Sequence, residues 1–312
     1  MKTKFITTAS LWAITVFLGL NFATPRAQAQ GGVPLWTNRY HEAINTYSAA
    51  TAVAVDGSGN VFVTGYSAGS NGRDFDFVTI KYSNAGAPLW TNRYAGAVDG
   101  WDSPSSIAVD RSGNVIVTGT SDHNGNDSFH TNSDYATIKY SNAGVPLWTN
   151  RYNGPANASD QPGGVAVDGS GNVFVTGASI GVGSEFDFAT IKYSAAGVPL
   201  WTNRYNGLGN DADAAGAIAV DSSGNVFVTG YSVGLLNAYD YDYVTIKYSN
   251  AGVPLWTNRY DGPANWQDWA TGIAVDTSGN VIVTGTSGRV GFDDSVHNDY
   301  TTIKYSSAGA TP

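Results

Sequence analysis

The sequence predicts an all-β fold built from a repeated unit of four short strands. The phrase Pro-Leu-Trp-Thr-Asn-Arg-Tyr recurs every 53 to 58 residues, with its tryptophan at Trp36, Trp90, Trp148, Trp201 and Trp256. The 312 residues include 38 Gly, 18 Tyr and 12 Phe, and only 13% are charged. This composition is typical of β-strands joined by tight turns. The sequence contains no Cys, which excludes disulfides, a thiol nucleophile and Cys-based zinc sites.

Each unit contains four strand patterns, which we label A to D in chain order. In the second unit they lie at 107–110, 114–119, 137–140 and 146–152. Each is a β-branched or aromatic run bounded by Gly, Asn, Ser or Pro. Four consecutive strands in a repeated unit predict the blades of a β-propeller, with strand A innermost.

The repeats predict a ring of five four-stranded antiparallel blades. The chain begins with a lone D strand at 33–40 and ends with strands A, B and C without a D strand. We expect the N-terminal strand to complete the last blade, because this closes the ring and removes open sheet edges. An open solenoid is the alternative, and it leaves the first D strand unexplained. The single propeller domain is predicted over 30–312, with blades at 41–94, 95–152, 153–205, 206–260 and 261–309.

Residues 1–29 have the pattern of a signal peptide. Lys2 and Lys4 precede an apolar stretch, and small residues then lead to a cleavage site after Ala29. We expect a secreted, periplasmic or cell-surface location; a retained membrane anchor is the alternative. Loss of Lys2, Lys4 and Arg26 changes the net charge from −9 to −12. An exported protein this acidic is a poor nucleic-acid binder, and no membrane span is expected after cleavage.

The repeated motif resembles a known family. The pattern Ile-Ala-Val-Asp-x-Ser-Gly-Asn-Val-x-Val-Thr-Gly, followed by Asp-Tyr/Phe-x-Thr-Ile-Lys-Tyr-Ser, is similar to the bacterial SBBP β-propeller repeat. The resemblance covers essentially the whole mature chain and implies an exported or surface propeller without implying a particular activity. The family's name refers to seven blades, whereas this chain supplies repeats for five.

The loops between strands B and C vary in length, whereas the other connections are nearly constant. From the Thr-Gly glycine to the strand-C aspartate the distance is 11, 15, 10, 12 and 14 residues in the five units. In an up-and-down blade the B–C and D–A loops lie at one face, and twenty of the 25 acidic residues fall in or beside them. We call this the variable-loop face. Varied loops on a rigid scaffold are where recognition usually resides, so we predict ligand binding there.

Three tryptophans that break the repeat are the best candidates for a binding site. Trp101, Trp266 and Trp269 stand in D–A loops beside Asp102 and Asp268. Exposed aromatic rings beside carboxylates form platforms for sugars or anchors for proteins, and the alternative is that these rings only fill the loop layer. We therefore predict a monomeric, non-enzymatic module that binds an extracellular glycan or a surface protein through these five residues.

Catalysis receives little support from the sequence. It contains neither a Gly-x-Ser-x-Gly nor a His-Glu-x-x-His motif, and we assign no catalytic or metal-binding residue. The alternative function is a carbohydrate-active hydrolase, which needs carboxylates about 5 to 10 Å apart at the mouth of the central channel. His123, His130 and Asp127 share one long loop, which we interpret as a solvated polar loop in preference to a metal site.

Recurring aspartates have structural interpretations. Asp56 and its equivalents cap the A–B hairpin turns, and the strand-C aspartate pairs with the D-strand arginine, as Asp76 with Arg93. The same logic pairs Asp299 with Arg39 across the closed ring. In a third set, each aspartate lies eight residues after the D-strand tyrosine. These aspartates either cap the D–A loop or bind calcium. Calcium is the one cofactor that the sequence leaves open. The members of this set are Asp102, Asp160, Asp213 and Asp268, with Ser48 in the odd unit.

Overall fold

The computed structural model describes residues 32–41, 47–69, 74–97, 100–123, 132–234, 240–264, 266–290 and 296–310. The chain divides into two units, residues 1–35 and residues 36–312. Nineteen β-strands and one turn of 3-10 helix at Leu208–Asn210 are described, all in the second unit. The predicted signal peptide and its cleavage site lie outside the described residues.

The strands form five antiparallel sheets, and each sheet corresponds to one sequence repeat. In chain order, sheet 1 contains β1 (Ser48–Val55), β2 (Val61–Ala68), β3 (Phe75–Tyr82) and β4 (Pro88–Tyr94); sheet 2 contains β5 (Asp102–Val109), β6 (Val115–Asp122), β7 (Ser133–Tyr140) and β8 (Pro146–Tyr152); sheet 3 contains β9 (Asp160–Val167), β10 (Val173–Ile180), β11 (Phe186–Tyr193) and β12 (Pro199–Tyr205); sheet 4 contains β13 (Asp213–Val220), β14 (Val226–Val233), β15 (Tyr241–Tyr248) and β16 (Pro254–Tyr260); sheet 5 contains β17 (Trp269–Val275), β18 (Val281–Val290) and β19 (Val296–Tyr305).

The A–B hairpin turns are held by their aspartates. Asp56 Oδ1 accepts hydrogen bonds from the backbone N–H groups of Ser58 and Asn60, each at 2.9 Å. Gly59 has a φ of 79°, a conformation that L residues with a side chain rarely adopt. The turn interpretation of this motif is confirmed, because the same carboxylate contacts recur at Asp110, Asp168, Asp221 and Asp276.

Neighbouring sheets pack through two large side chains, one from strand B and one from strand C. Phe62 and Phe77 of sheet 1 lie buried against Val117 and Ile138 of sheet 2. Burial of this apolar surface stabilises each boundary and fixes the order of the sheets. The pairs at the next three boundaries are Ile116 with Tyr135, Phe174 with Phe188, and Phe227 with Tyr243.

Each D strand is also hydrogen-bonded to the C–D turn of the following sheet. Trp90 Nε1 donates to the Asn142 carbonyl at 3.0 Å, and Asn92 Nδ2 donates to the Gly144 carbonyl at 2.7 Å. A Cβ atom at position 144 would lie 2.9 Å from the Trp90 ring, and the φ of Gly144 is 83°. Both observations explain why this turn requires glycine.

The closure of the ring that we expected is not confirmed. Residues 36–40 do not form a strand, and no pairing between them and β19 occurs in the described ranges, so sheet 5 has three strands. The predicted twentieth strand is therefore missing from the described secondary structure. Tyr300, the sheet 5 equivalent of the buried Phe77 and Tyr243, is 90% exposed.

Candidate functional site

Each D–A loop connects strand D of one sheet to strand A of the next. These loops pack against the end of the first sheet where its strands B and C are connected. The Phe75 N–H donates to the Gly100 carbonyl at 3.1 Å, and the Glu185 N–H donates to the Asn210 carbonyl at 3.1 Å. In both cases a residue at the start of strand C contacts the loop that leads to the next sheet. The B–C and D–A loops therefore meet at one end of the sheets, which is the variable-loop face predicted from the sequence.

The aspartates of the D–A loops hold these loops in place. Asp160 Oδ2 accepts a hydrogen bond from the Gly154 N–H at 2.6 Å, and Asp268 Oδ2 accepts one from the Gly262 N–H at 2.7 Å. Asp102 accepts from Gly96 in the same way. Asp102 and Asp268, two of the predicted ligand-binding residues, are completely buried. Their carboxylates thus point into the protein and support the loops that carry the tryptophans.

Burial changes the acidity of this set of aspartates. Desolvation raises the pKa of Asp102 and of Asp160, although hydrogen bonds from serine hydroxyls and backbone N–H groups oppose the shift. The same desolvation raises the pKa of Asp213 to about 6 against hydrogen bonds from Ser232 and Gly207. Burial in the protein interior therefore raises the pKa of these carboxyl groups, and a soluble ligand does not reach them there.

The predicted ion pair between strands C and D forms in all four complete sheets. Arg204 Nη2 lies 2.7 Å from Asp187 Oδ2, and its Nη1 donates to Ser179 Oγ at 2.5 Å. The arginine therefore joins strands B, C and D of one sheet. The other three pairs are Asp76 with Arg93, Asp134 with Arg151 and Asp242 with Arg259.

In sheet 5 the predicted pair of Asp299 with Arg39 is not formed. Asp299 Oδ2 lies 2.7 Å from Arg289 Nε, and no contact with Arg39 occurs among the described residues. The strands β18 and β19 each have ten residues, two more than their equivalents in the other sheets. The longer hairpin brings Arg289, which is paired in register with His297, close to Asp299.

Trp101 belongs to an aromatic cluster at the variable-loop face of sheet 1. Its ring centroid lies 4.4 Å from that of Phe75 and 6.0 Å from that of Tyr66. The ring centroid of Tyr47 lies 5.9 Å from that of Tyr66 and 6.2 Å from that of Phe75. We call Tyr47, Tyr66, Phe75 and Trp101 the first aromatic cluster. Trp101 and Tyr47 keep 36% and 61% of their surface exposed, so the cluster is open to solvent.

Trp269 belongs to a second aromatic cluster, at the boundary of sheets 4 and 5. Its ring lies 5.9 Å from Tyr241 and 6.2 Å from Tyr231, and those two tyrosine rings meet edge to face at 5.0 Å. Trp269 is 41% exposed. Trp266 is half-buried beside Gly288, where an added Cβ atom would lie 3.0 Å from the Trp266 Cβ.

The aromatic partners of these tryptophans were not predicted from the sequence. A usable signal was present, because only units 1 and 4 have aromatic residues both after the Thr-Gly glycine and before the strand-C aspartate. These are Tyr66 with Phe75 and Tyr231 with Tyr241. The same two sheets are followed by the loops that supply Trp101 and Trp269.

A group of three carboxylates was also missed. One oxygen atom from each of Asp240, Asp242 and Asp261 lies within 4.8 Å of the others. We call these three residues the carboxylate cluster. The metal site that we considered at His123 is not tested, because His130 and Asp127 lie outside the described residues; His123 Nδ1 is 3.4 Å from Asp134 Oδ2.

Comparisons with known proteins support the propeller architecture. The sequence model of the SBBP β-propeller repeat matches residues 92–126, 151–183 and 201–237. An uncharacterized WD repeat-containing protein of Acanthamoeba polyphaga mimivirus is 24% identical over 241 residues, which cover 68% of this chain and 14% of that protein. This chain therefore spans only about one seventh of the length of that relative.

Solved structures with a similar fold have very different sequences. A polysaccharide lyase superimposes with a TM-score of 0.52 and 14% identity, over 93% of this chain and 77% of the lyase. The β-propeller domain of the Trilobed protease from Pyrococcus furiosus gives a TM-score of 0.47 and 6% identity, over 83% and 68% of the two chains. At these identities the likeness concerns the fold alone. Within the described residues, no helix is long and apolar enough to cross a bilayer.

Proposed function

We propose that this chain, which contains repeats of the SBBP β-propeller family, is an exported, non-enzymatic module that binds a glycan or a protein through its variable-loop face. Export rests on the signal-peptide pattern of residues 1–29, which predicts that the secreted form starts at Gln30. The observation that carries the binding function is the pair of aromatic clusters. Each is partly exposed and lies at the end of the sheets where the chain varies.

The geometry of the clusters suits recognition. Tryptophan and tyrosine rings offer large rigid surfaces, and their packing on one another limits the entropy lost when a ligand binds. In the second cluster, Tyr241 stands between Asp240 and Asp242 in the sequence, and the exposed carboxylate of Asp261 lies with theirs at this end of sheet 4. Asp261 supplies hydrogen-bond acceptors for hydroxyl or amide groups. This combination fits a glycan and a polar protein surface about equally well.

The buried D–A aspartates favour binding over hydrolysis. A glycosidase needs two carboxyl groups that reach the substrate on both sides of the scissile bond. Asp102, Asp160, Asp213 and Asp268 are each less than 2% exposed, and each accepts a hydrogen bond from a backbone N–H of its own loop. They are therefore poor candidates for a catalytic pair.

The binding face is best supported by a closed ring, which we propose as the architecture in solution. Trp36 Nε1 donates to the Asn84 carbonyl at 3.2 Å, which is the contact that Trp90 makes with the following sheet. Residues 36–40 thus make two side-chain contacts with sheet 1 that a D strand makes with the sheet that follows it. Sheet 5 is the one described sheet without its own D strand, and we propose that this segment, which has the sequence of a D strand, completes it.

An exposed tyrosine and a cavity also fit this closure. Phe77 packs so closely on the next sheet that a Cβ atom at Gly119 would lie 2.6 Å from its ring. Tyr300 is the equivalent of Phe77 in sheet 5, and Gly65 is the equivalent of Gly119 in sheet 1. Gly65 lines a 260 Å³ cavity together with Trp36, Tyr40, Ala49, Val63 and Ile80. We propose that Tyr300 fills this cavity when the ring closes.

The binding function is tested by screening the chain from Gln30 onward on a glycan array, in parallel with a pull-down against surface proteins. A specific glycan or protein partner is the expected result. Each bound glycan is then incubated with the protein and analysed by mass spectrometry. Recovery of the intact glycan supports a binding module, and cleaved products would instead establish the hydrolase. Failure of both screens would contradict the proposed function.

A further inference from the structure

The carboxylate cluster lies at the variable-loop end of sheet 4. Asp240 immediately precedes β15, Asp242 is its second residue, and Asp261 immediately follows β16. The pairing of Tyr243 with Tyr260 brings the two strand ends side by side. Asp240 and Asp242 are 3% and 4% exposed, whereas Asp261 is exposed to solvent. The cluster therefore has a buried floor and an open side.

Two oxygen atoms in this buried floor have no hydrogen-bond partner. They are Oδ1 of Asp240 and Oδ1 of Asp242. Arg259 contacts only the other oxygen of Asp242, through Nε, and its Nη atoms bind Ser232. Arg259 thus pairs with one carboxylate of the cluster, and two buried acceptor atoms remain unsatisfied. Asp187, the equivalent of Asp242 in sheet 3, also has an unsatisfied Oδ1, so the Asp240 atom is the one specific to sheet 4. Such an arrangement is costly unless a cation or a proton compensates it.

The three acids occur together only in this unit of the sequence. The residues at the positions of Asp240, Asp242 and Asp261 differ in the first three units. They are Asp74, Asp76 and Ala95 in unit 1; Asn132, Asp134 and Asn153 in unit 2; and Glu185, Asp187 and Asn206 in unit 3. The middle acid is the general partner of the D-strand arginine. The two flanking acids are additions specific to sheet 4, and the ion pair does not explain them.

We propose that Asp240, Asp242 and Asp261 form a Ca²⁺-binding site. Ca²⁺ takes oxygen ligands at about 2.3 to 2.6 Å, so oxygen atoms up to about 5 Å apart can contact one ion. The 4.8 Å limit of this cluster falls within that range. The three carboxylates supply charge, and solvent reaches the remaining coordination positions past Asp261. This site does not depend on the identity of the ligand bound at the aromatic clusters.

The site is tested by titrating CaCl₂ into the chain from Gln30 onward in a calorimeter, after treatment with EDTA. We expect saturable binding and a melting temperature that rises with Ca²⁺, since an ion that binds only the folded state stabilises it. Asp261→Asn removes the negative charge of the exposed ligand and leaves the contact of Arg259 with Asp242 in place, so it should weaken Ca²⁺ binding at least tenfold. Glu185→Gln, the equivalent of Asp240 in sheet 3, is the matched control and should bind as the wild type does.

Two results would overturn the proposal. One is a wild-type protein that gives neither heat of binding nor a change in melting temperature at millimolar CaCl₂. The other is an Asp261→Asn variant that binds Ca²⁺ with unchanged affinity, which would place the ion elsewhere. Asp240→Asn provides a second variant, and circular dichroism establishes that each variant is folded before titration.

Discussion

The side-chain amide of Asn38 donates a hydrogen bond to the carbonyl oxygen of Gly86 at 2.8 Å. Asn92 donates to Gly144 in the same manner, and each further D strand repeats the contact with the sheet that follows it. The first segment of the propeller therefore bears the same relation to sheet 1 as a preceding blade would. This relationship supports closure of the ring through residues 36–40.

Closure predicts a specific strand register. In sheet 1, Ile80 pairs with Thr91, and the equivalent residues at the closure are Ile303 and Thr37. Because the chain has no Cys, Thr37→Cys combined with Ile303→Cys places the only two thiols on facing strands. We expect an intramolecular disulfide on mild oxidation, detected by mass spectrometry and by mobility on a non-reducing gel. Ile80→Cys with Thr91→Cys is the positive control, and a disulfide in the control pair alone would contradict closure.

Closure also predicts that Tyr300 is part of the core. Tyr243→Ala removes a fully buried ring and should cost about 3 to 5 kcal/mol of the free energy of unfolding. If Tyr300 fills the cavity beside Gly65, Tyr300→Ala should have a comparable cost. Urea unfolding followed by tryptophan fluorescence measures both. A change within about 0.5 kcal/mol for Tyr300→Ala is what an exposed side chain gives and would refute the closure.

The ion pair of the strand-C aspartate should contribute more to the free energy of unfolding in sheet 3, where it is buried, than in sheet 5, where it is exposed. Asp187 is buried, so Arg204→Met leaves its carboxylate without a cation and should destabilise the protein by about 3 kcal/mol. Arg289→Met removes the partner of Asp299, but that pair is about half exposed, and its loss should cost less than about 1 kcal/mol. Equal unfolding free energies for the two variants would show that burial does not govern these pairs.

The raised pKa of Asp213 predicts a pH-dependent stability. Folding raises this pKa from about 3.8 to about 6, so the folded chain holds the proton more tightly than the unfolded chain. The resulting stability is fully present below about pH 4 and is lost as the pH rises through 6. Asp213→Asn stays neutral, so its unfolding free energy relative to wild type should increase by about 2 to 3 kcal/mol between pH 4 and pH 7. Urea unfolding at several pH values checks this.

Asp211→Asn supplies the control for that experiment, since it changes an exposed acid in the same loop. Its difference from wild type should vary little over the same pH range. A flat profile for Asp213→Asn as well would mean that the Asp213 carboxylate is not desolvated by folding.

Much of the fold was predictable because each blade repeats the same local chemistry. The Asp-x-Ser-Gly-Asn turns and the pairing of Asp76 with Arg93 follow from residue spacing within one hairpin. The aromatic partners of Trp101 come from strands β2 and β3, about 26 to 35 residues earlier in the chain. Contacts at that distance depend on how a loop packs over a sheet, which spacing alone does not determine. The carboxylate cluster escaped notice for the same reason, since Asp261 follows a different strand from Asp240 and Asp242.

We propose that the variable-loop face binds its ligand through the exposed tryptophans. The most direct measurement compares wild type, the double variant Trp101→Ala with Trp269→Ala, and Leu147→Ala on the same glycan array and pull-down. Leu147 is an exposed apolar residue on β8, outside both aromatic clusters, and serves as the control. We expect the double variant to give a binding signal at least tenfold weaker than wild type, while Leu147→Ala keeps the wild-type signal. Undiminished binding by a folded double variant would place the ligand elsewhere and contradict the claim.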